Sequence, residues 1–273
     1  MNHPTLIALN QSKAKQNVFC LHTGGGGVDF YQHVAERLVS DAKLFGLEDP
    51  SIYDNYQYRS IPELAQYHFD TIKEVQPRGP YILFGYCSAG PIALELANQL
   101  SIAGEQVNKV VLFGSQLDAI MTGKAENLSE FYFLKHHLSN KYQLDLNALN
   151  WAEFDNQPRD VVIAHLVSVM SELGMIKDEG QQQIAYSLMQ SLYFYHHASR
   201  RHKVIKVDCD VVLLDRCVPA SQRHLAKPWF EREQLTSKEL SYVPAPEFVA
   251  QHTDILQPPY LDNTVQNIKS LVF

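Results

Sequence analysis

The chain predicts an α/β fold, with a mostly parallel central sheet, helices on both faces and a helical insertion. Three observations carry that expectation. Short apolar runs recur at Asn17 to His22, Leu44 to Leu47, Tyr81 to Phe84, Val107 to Phe113, Val211 to Asp215 and Leu240 to Val243, each of strand length. Segments with helical spacing of apolar residues separate the early runs, the rhythm of a parallel sheet covered on both sides. At Gly85-Tyr86-Cys87-Ser88-Ala89-Gly90 the pattern passes from strand to helix within a few small residues.

In chain order, the buried strand from Asn17 runs into Thr23 and four consecutive glycines, Gly24 to Gly27. Val28 to Asp41 has helical spacing through Val34, Leu38 and Val39, and Leu44 to Leu47 is the next strand. Leu64 to Val75 reads as an amphipathic helix that stops at Gln76-Pro77-Arg78-Gly79-Pro80. The strand from Tyr81 turns into a helix through Ala89, Ile92, Ala93, Leu96 and Leu100, and Val107 to Phe113 follows. From Leu117 to about Arg201 the segments are helical, notably 127–137, 159–173 and 179–202. Such an insertion between sheet strands reads as a lid over an active site, with an ordinary helical layer as the alternative. Val211 to Asp215 and Leu240 to Val243 complete the sheet, and a helix closes the chain at Phe273. Residues 1–273 are expected to form a single domain with the lid at approximately 117–201.

Composition narrows the function classes. A formal charge of −7 with no Lys/Arg-rich run argues against a nucleic-acid partner. No apolar stretch has membrane-spanning length, and Met1-Asn2-His3-Pro4 opens no signal peptide, so a cytoplasmic protein is expected. The four cysteines, Cys20, Cys87, Cys209 and Cys217, form no CxxC pair and are expected as thiols. Cys20, Cys209 and Cys217 read as small strand-associated residues. Only Cys87 has a chemical context.

That context is a nucleophile elbow, in which a strand turns sharply into a helix and the residues two before and two after the apex must be small. Gly85 and Ala89 hold those places around Cys87. Reading Ser88 as the apex would put Tyr86 at a crowded flank. A thiol needs a base or a helix N-terminus to become thiolate, and Cys87 has a helix following it, with His252 after the last strand as the base. The backbone N–H groups of Gly24 and Ser88 are the candidate oxyanion hole. For the acid that orients the base, Asp215 at the tip of its strand is the first choice and Asp118 the second, while a Cys–His pair also works without one. His136-His137 and His196-His197 are adjacent pairs that point about 100° apart on a helix, so neither grips one metal ion; no metal is expected. Arg200-Arg201-His202-Lys203 either complements a helix C-terminus or docks an acidic group. Tyr193-Phe194-Tyr195 suits a pocket wall and internal packing equally.

These residues carry a resemblance. Leu6-Ile7-Ala8-Leu9-Asn10, Phe19-Cys20-Leu21-His22-Thr23-Gly24-Gly25-Gly26, Ile61-Pro62-Glu63-Leu64-Ala65, Val75-Gln76-Pro77-Arg78-Gly79-Pro80-Tyr81 and Gly85-Tyr86-Cys87-Ser88 are similar to the thioesterase domains of nonribosomal peptide and polyketide synthetases. His252 with Leu256 and Pro259 resembles their closing segment. The resemblance implies an α/β-hydrolase fold with a helical lid, and an acyl or peptidyl chain received from the phosphopantetheine thiol of a carrier protein. It implies no cofactor of the protein's own. Release is then by hydrolysis, cyclisation or transfer to another acceptor. Four positions depart from the family pattern: Cys87 replaces the usual Ser, Ala89 the second elbow Gly and Thr23 a loop Pro, while Gly114 stands at the common acid position. An acyl-Cys is itself a thioester, which favours transfer over hydrolysis. The alternatives are a non-catalytic or editing accessory protein and a Ser88-dependent serine hydrolase.

Overall fold

A computed structural model describes residues 3–53, 56–115, 131, 134, 138, 154, 157–200, 202–214, 235–244 and 255–273. Seven strands form one sheet: β1 (Leu6–Ala8), β2 (Asn17–Leu21), β3 (Lys43–Leu47), β4 (Tyr81–Tyr86), β5 (Val107–Phe113), β6 (Asp210–Leu214) and β7 (Leu240–Val243). Their order is β1-β3-β2-β4-β5-β6-β7, with every pairing parallel except that of β1 with β3. The fold class expected from the apolar runs is the one observed. β1 was not expected as a strand, because its three residues are too short for a periodicity and two of them are exposed.

The strands of a sheet covered on both faces send alternate side chains into two cores. Phe19, Leu21, Leu83, Val110, Leu112, Val211 and Leu213 face one side. There α2 (Ile61–Val75) and α3 (Gly90–Ile102) cover them with Ile61, Leu64, Ile72, Ile92, Leu96 and Leu100. Val18, Cys20, Ile82, Phe84, Val111, Phe113, Val212 and Leu214 face the other. They meet Val34 and Ala35 of α1 (Gln32–Arg37), and Leu261, Val265 and Ile268 of α6 (Leu261–Val272). The helix expected over 28–41 is shorter than its spacing suggests, a 3-10 turn Asp29–Tyr31 followed by α1. By contrast α2 starts before Leu64, because Ser60 caps it by accepting from the Glu63 N–H and Pro62 fits the first turn.

Between β5 and β6 lie α4 (Arg159–Glu172) and α5 (Glu179–Arg200). Val162, Ile163, Leu166 and Met170 of α4 meet Ala185, Met189 and Leu192 of α5, together with Phe131, Leu134 and Leu138, in a third apolar cluster. The other face of α5 lies against the body: Gln190 Nε2 donates to Ser51 O at 3.2 Å, and Phe194 packs on Tyr58 with ring centroids 5.8 Å apart. No described helix is long and apolar enough to cross a membrane.

Candidate active site

The central strand β4 delivers the site. Tyr86 is extended at φ −100° and ψ 138°, the next residue turns to φ 52°, and a 3-10 turn Cys87–Ala89 leads into α3 at Gly90. Cys87 is the one non-glycine among the described residues with positive φ. A left-handed backbone at a side chain of this kind costs about 1–3 kcal/mol and persists only where the surroundings impose it. The packing behind the turn does so. A Cβ on Gly85 would sit 3.1 Å from Ala89 O and 3.1 Å from Ala93 Cβ, so strand and helix approach closely only because Gly85 and Ala89 are small. Cys87 therefore stands at the apex, half-buried, and Ser88 stands one residue into the turn.

The glycine loop after β2 lies beside this apex. Gly24 N–H donates to Ser88 Oγ at 2.6 Å, so the amide expected to face an oxyanion is turned to the elbow and is engaged by a hydroxyl. Gly26, at φ 83°, brings the loop under α5, where a Cβ would come within 2.9 Å of Ser191 Oγ. Ser191 Oγ donates to Asp49 Oδ2 at 2.7 Å and lies 3.2 Å from Gly24 O as a second acceptor. One turn along, Tyr195 OH donates to Ser88 O at 2.5 Å.

Asp49 follows β3 and is fully buried. Its carboxylate accepts from Ser51 N at 2.8 Å, Tyr58 OH at 2.8 Å and Ser191 Oγ, and its own N–H donates to Gly26 O at 2.9 Å. A buried carboxylate is tolerable because hydrogen bonds replace its water. Next to it, His22 Nδ1 donates to Thr23 O at 2.7 Å, and the His22 ring lies 5.2 Å from that of His68 on α2. Both imidazoles are buried, and desolvation holds His68 well below the ordinary histidine range.

Burial also governs the candidate nucleophile. It pushes the Cys87 thiol up to about 11, and the hydrogen bonds from the Ser88 backbone and hydroxyl only partly oppose it. The helix start expected to ionise the thiol is thus outweighed by desolvation.

Of the residues singled out by sequence, Cys87, Ser88 and Gly24 come together. His252, Asp215 and Asp118 lie outside the described residues, as do His136, His137 and Cys217. β5 ends without a carboxylate: Gly114 turns to φ 51° and its N–H donates to Leu214 O at 2.9 Å, at the end of β6 one residue before Asp215. His196 is buried and His197 packs on Tyr193 at 4.4 Å. His202 is not part of an open basic cluster, because burial lowers it to about 4. The sequence reading missed Asp49 and Ser191, and it offered Tyr195 only as part of an aromatic run suited to a pocket wall or to packing. Their signal was weak, since a Ser and a Tyr in a helix and an Asp before a Pro are common in ordinary turns and faces.

A mostly parallel sheet with a strained elbow at the C-terminal end of its central strand is the α/β-hydrolase type of architecture. Residues 16–141, a little under half of the chain, match the family model of the thioesterase domain. That segment holds β2 to β5, with the glycine loop and the elbow.

Among curated proteins, the polyketide synthase PksR of Bacillus subtilis (strain 168) is 35% identical over 113 residues, 41% of this chain and 4% of that protein. The N-(5-amino-5-carboxypentanoyl)-L-cysteinyl-D-valine synthase of Amycolatopsis lactamdurans is 31% identical over 106 residues, 39% of this chain and 3% of the synthase. The aligned segments are thus small parts of much longer proteins. Among solved structures, the NocB thioesterase domain from the nocardicin cluster superposes with a TM-score of 0.61 at 17% identity, covering 98% of both chains. A holo four-domain nonribosomal peptide synthetase bound to AMP and glycine gives a TM-score of 0.74 at 18% identity, over 98% of this chain and 20% of the synthetase. At such identities the superpositions establish the fold.

Proposed function

We propose that this chain is a thioesterase-family acyl transferase of natural-product biosynthesis that works through Cys87. It takes an acyl or peptidyl chain from the phosphopantetheine thioester of a carrier protein and releases it by hydrolysis, cyclisation or transfer to another acceptor. The observation that carries this reading is the thiol at the positive-φ apex of the elbow, with the Gly24 amide bonded to the hydroxyl of the next residue, Ser88.

In the first step Cys87 Sγ attacks the thioester carbonyl, and His252 takes the thiol proton. The carbonyl oxygen becomes an oxyanion held by the Gly24 and Ser88 N–H groups, the Ser88 hydroxyl yielding its place at Gly24. The carbon–sulfur bond to pantetheine then breaks, and His252 returns the proton to the departing sulfur. Asp215 orients His252. One thioester has replaced another, so the acyl-enzyme lies close in energy to the loaded carrier. A thiol or amine acceptor, or a nucleophile within the chain itself, then attacks with the same groups in reverse. Ser88 is poorly suited to be the nucleophile, since its hydroxyl already occupies the Gly24 N–H, where an acceptor oxygen belongs. The long relatives, named as synthases and synthetases, support a carrier-borne substrate and a role in such assembly lines.

The test is product analysis with an acyl-loaded carrier protein, with and without an added thiol or amine acceptor. The proposal expects acceptor-dependent product that disappears in Cys87→Ala. Turnover only to free acid, at a rate unchanged by acceptor, would overturn the preference for transfer.

A further inference from the structure

The helix α5 touches both halves of the candidate oxyanion site through side chains one turn apart. Residues i and i+4 share a helix face, so Ser191 and Tyr195 reach the same side of α5 together. Tyr195 OH donates to Ser88 O, and Ser191 Oγ contacts Gly24 O while donating to Asp49. These are the carbonyls of the two residues whose N–H groups would bind the oxyanion.

The peptide plane that carries the Gly24 N–H is held at Thr23 O, which accepts from His22 Nδ1 at 2.7 Å and from Gly26 N–H at 2.9 Å, while the next plane, through Gly24 O, meets Ser191. Fixing the Gly24 carbonyl on one side of Cα, while its N–H meets the elbow on the other, narrows the φ and ψ open to a residue that has no Cβ to limit them. Ser191 has one proton for two acceptors, and the shorter contact is to Asp49, so its hold on Gly24 O is the weaker arm of a three-centre bond. Tyr195 gives Ser88 O a full bond, and burial together with the nearby Cys87 keeps the phenol protonated as a donor.

We propose that Ser191 and Tyr195 are positioning residues for acyl transfer, which aim the Gly24 and Ser88 amides and make the site complete only while α5 is seated on the body. The inference rests on the acyl-transfer reading above. It predicts a selective defect. Oxyanion formation depends on the aim of these amides, whereas alkylation of the thiol by iodoacetamide displaces iodide from a saturated carbon and forms no oxyanion.

The experiment measures single-turnover acylation of the full chain by saturating acyl-carrier thioester, read by intact mass, beside iodoacetamide alkylation of Cys87 and thermal unfolding. Wild type, Tyr195→Phe, Ser191→Ala and Ser191→Thr are compared. Losing one oxyanion donor outright slows catalysis about 10²–10³-fold, so misaiming one is expected to cost less. Acylation should fall about 10–100-fold in Tyr195→Phe and about tenfold in Ser191→Ala, with Ser191→Thr near wild type through its retained hydroxyl. Alkylation rates and melting temperatures should stay close to wild type. Unchanged acylation in both Tyr195→Phe and Ser191→Ala would overturn the inference, and so would acylation and alkylation falling together, the mark of a structural role. A wild-type protein acylated elsewhere than Cys87 would remove the reading beneath it, and the inference with it, on the wild-type result alone.

Discussion

At Cys87, two environments act on one sulfur. The turn places it at the head of α3, where amides favour an anion, and the surrounding protein strips its water, which disfavours one. Desolvation prevails, and the thiol is pushed up to about 11. At pH 7 a group titrating there would be ionised in about one molecule in ten thousand, so a thiol is expected at rest, not a thiolate. Alkylation of Cys87 should therefore rise about tenfold per pH unit from pH 7 to beyond pH 9 without reaching a plateau. Mass-resolved labelling across that range checks this, and a plateau centred below pH 7 would show a preformed ion pair instead. With the proposed base removed in His252→Ala, acyl transfer at pH 7 should fall about 10²–10⁴-fold, the usual contribution of a general base.

The elbow is the element on which the site depends, and it was legible because its constraint is steric and local. Gly85, Cys87 and Ala89 carry it in five consecutive residues. Gly85→Ala puts a methyl group 3.1 Å from Ala89 O and Ala93 Cβ, an overpacking expected to cost about 1–3 kcal/mol. Calorimetry should show a melting temperature lower by about 2–10 °C. A variant as stable as wild type would mean that β4 and α3 can move apart, removing the steric argument for the apex. The strands β2 to β7 were equally legible, being apolar runs bounded by turn residues. α5 was legible as a helix, but its partners were not. Nothing local in Ser191 or Tyr195 announces a bond to Gly24 or Ser88 more than a hundred residues earlier. Long-range hydrogen bonds of this kind leave no periodicity. Likewise Asp49 shows its meaning only once β3 has carried it beneath the glycine loop.

Across the molecule, two cores hold the sheet, and a third holds the helices between β5 and β6. Polar groups buried near and beyond the site make the fold sensitive to acid. His68 is held well below 6.5 and His202 at about 4, so the unfolded chain takes up protons below pH 6.5 that the folded chain refuses. Stability contributed by their neutral forms is present above pH 6.5 and is lost as the pH falls toward 4. Urea midpoints should drop over that window, and the drop should be smaller in His68→Phe and His202→Phe. Equal slopes in all three proteins would refute this origin.

The central claim is that Cys87 carries the acyl chain. It is tested most directly by intact-protein mass spectrometry, with proteolytic mapping, after brief incubation with an acyl-carrier thioester. Wild type, Cys87→Ala and Ser88→Ala are compared. The account predicts one acyl mass on wild type and on Ser88→Ala, mapped to Cys87, and none on Cys87→Ala. An adduct that survives Cys87→Ala and vanishes in Ser88→Ala, or no adduct and no turnover with any of the three, would contradict it.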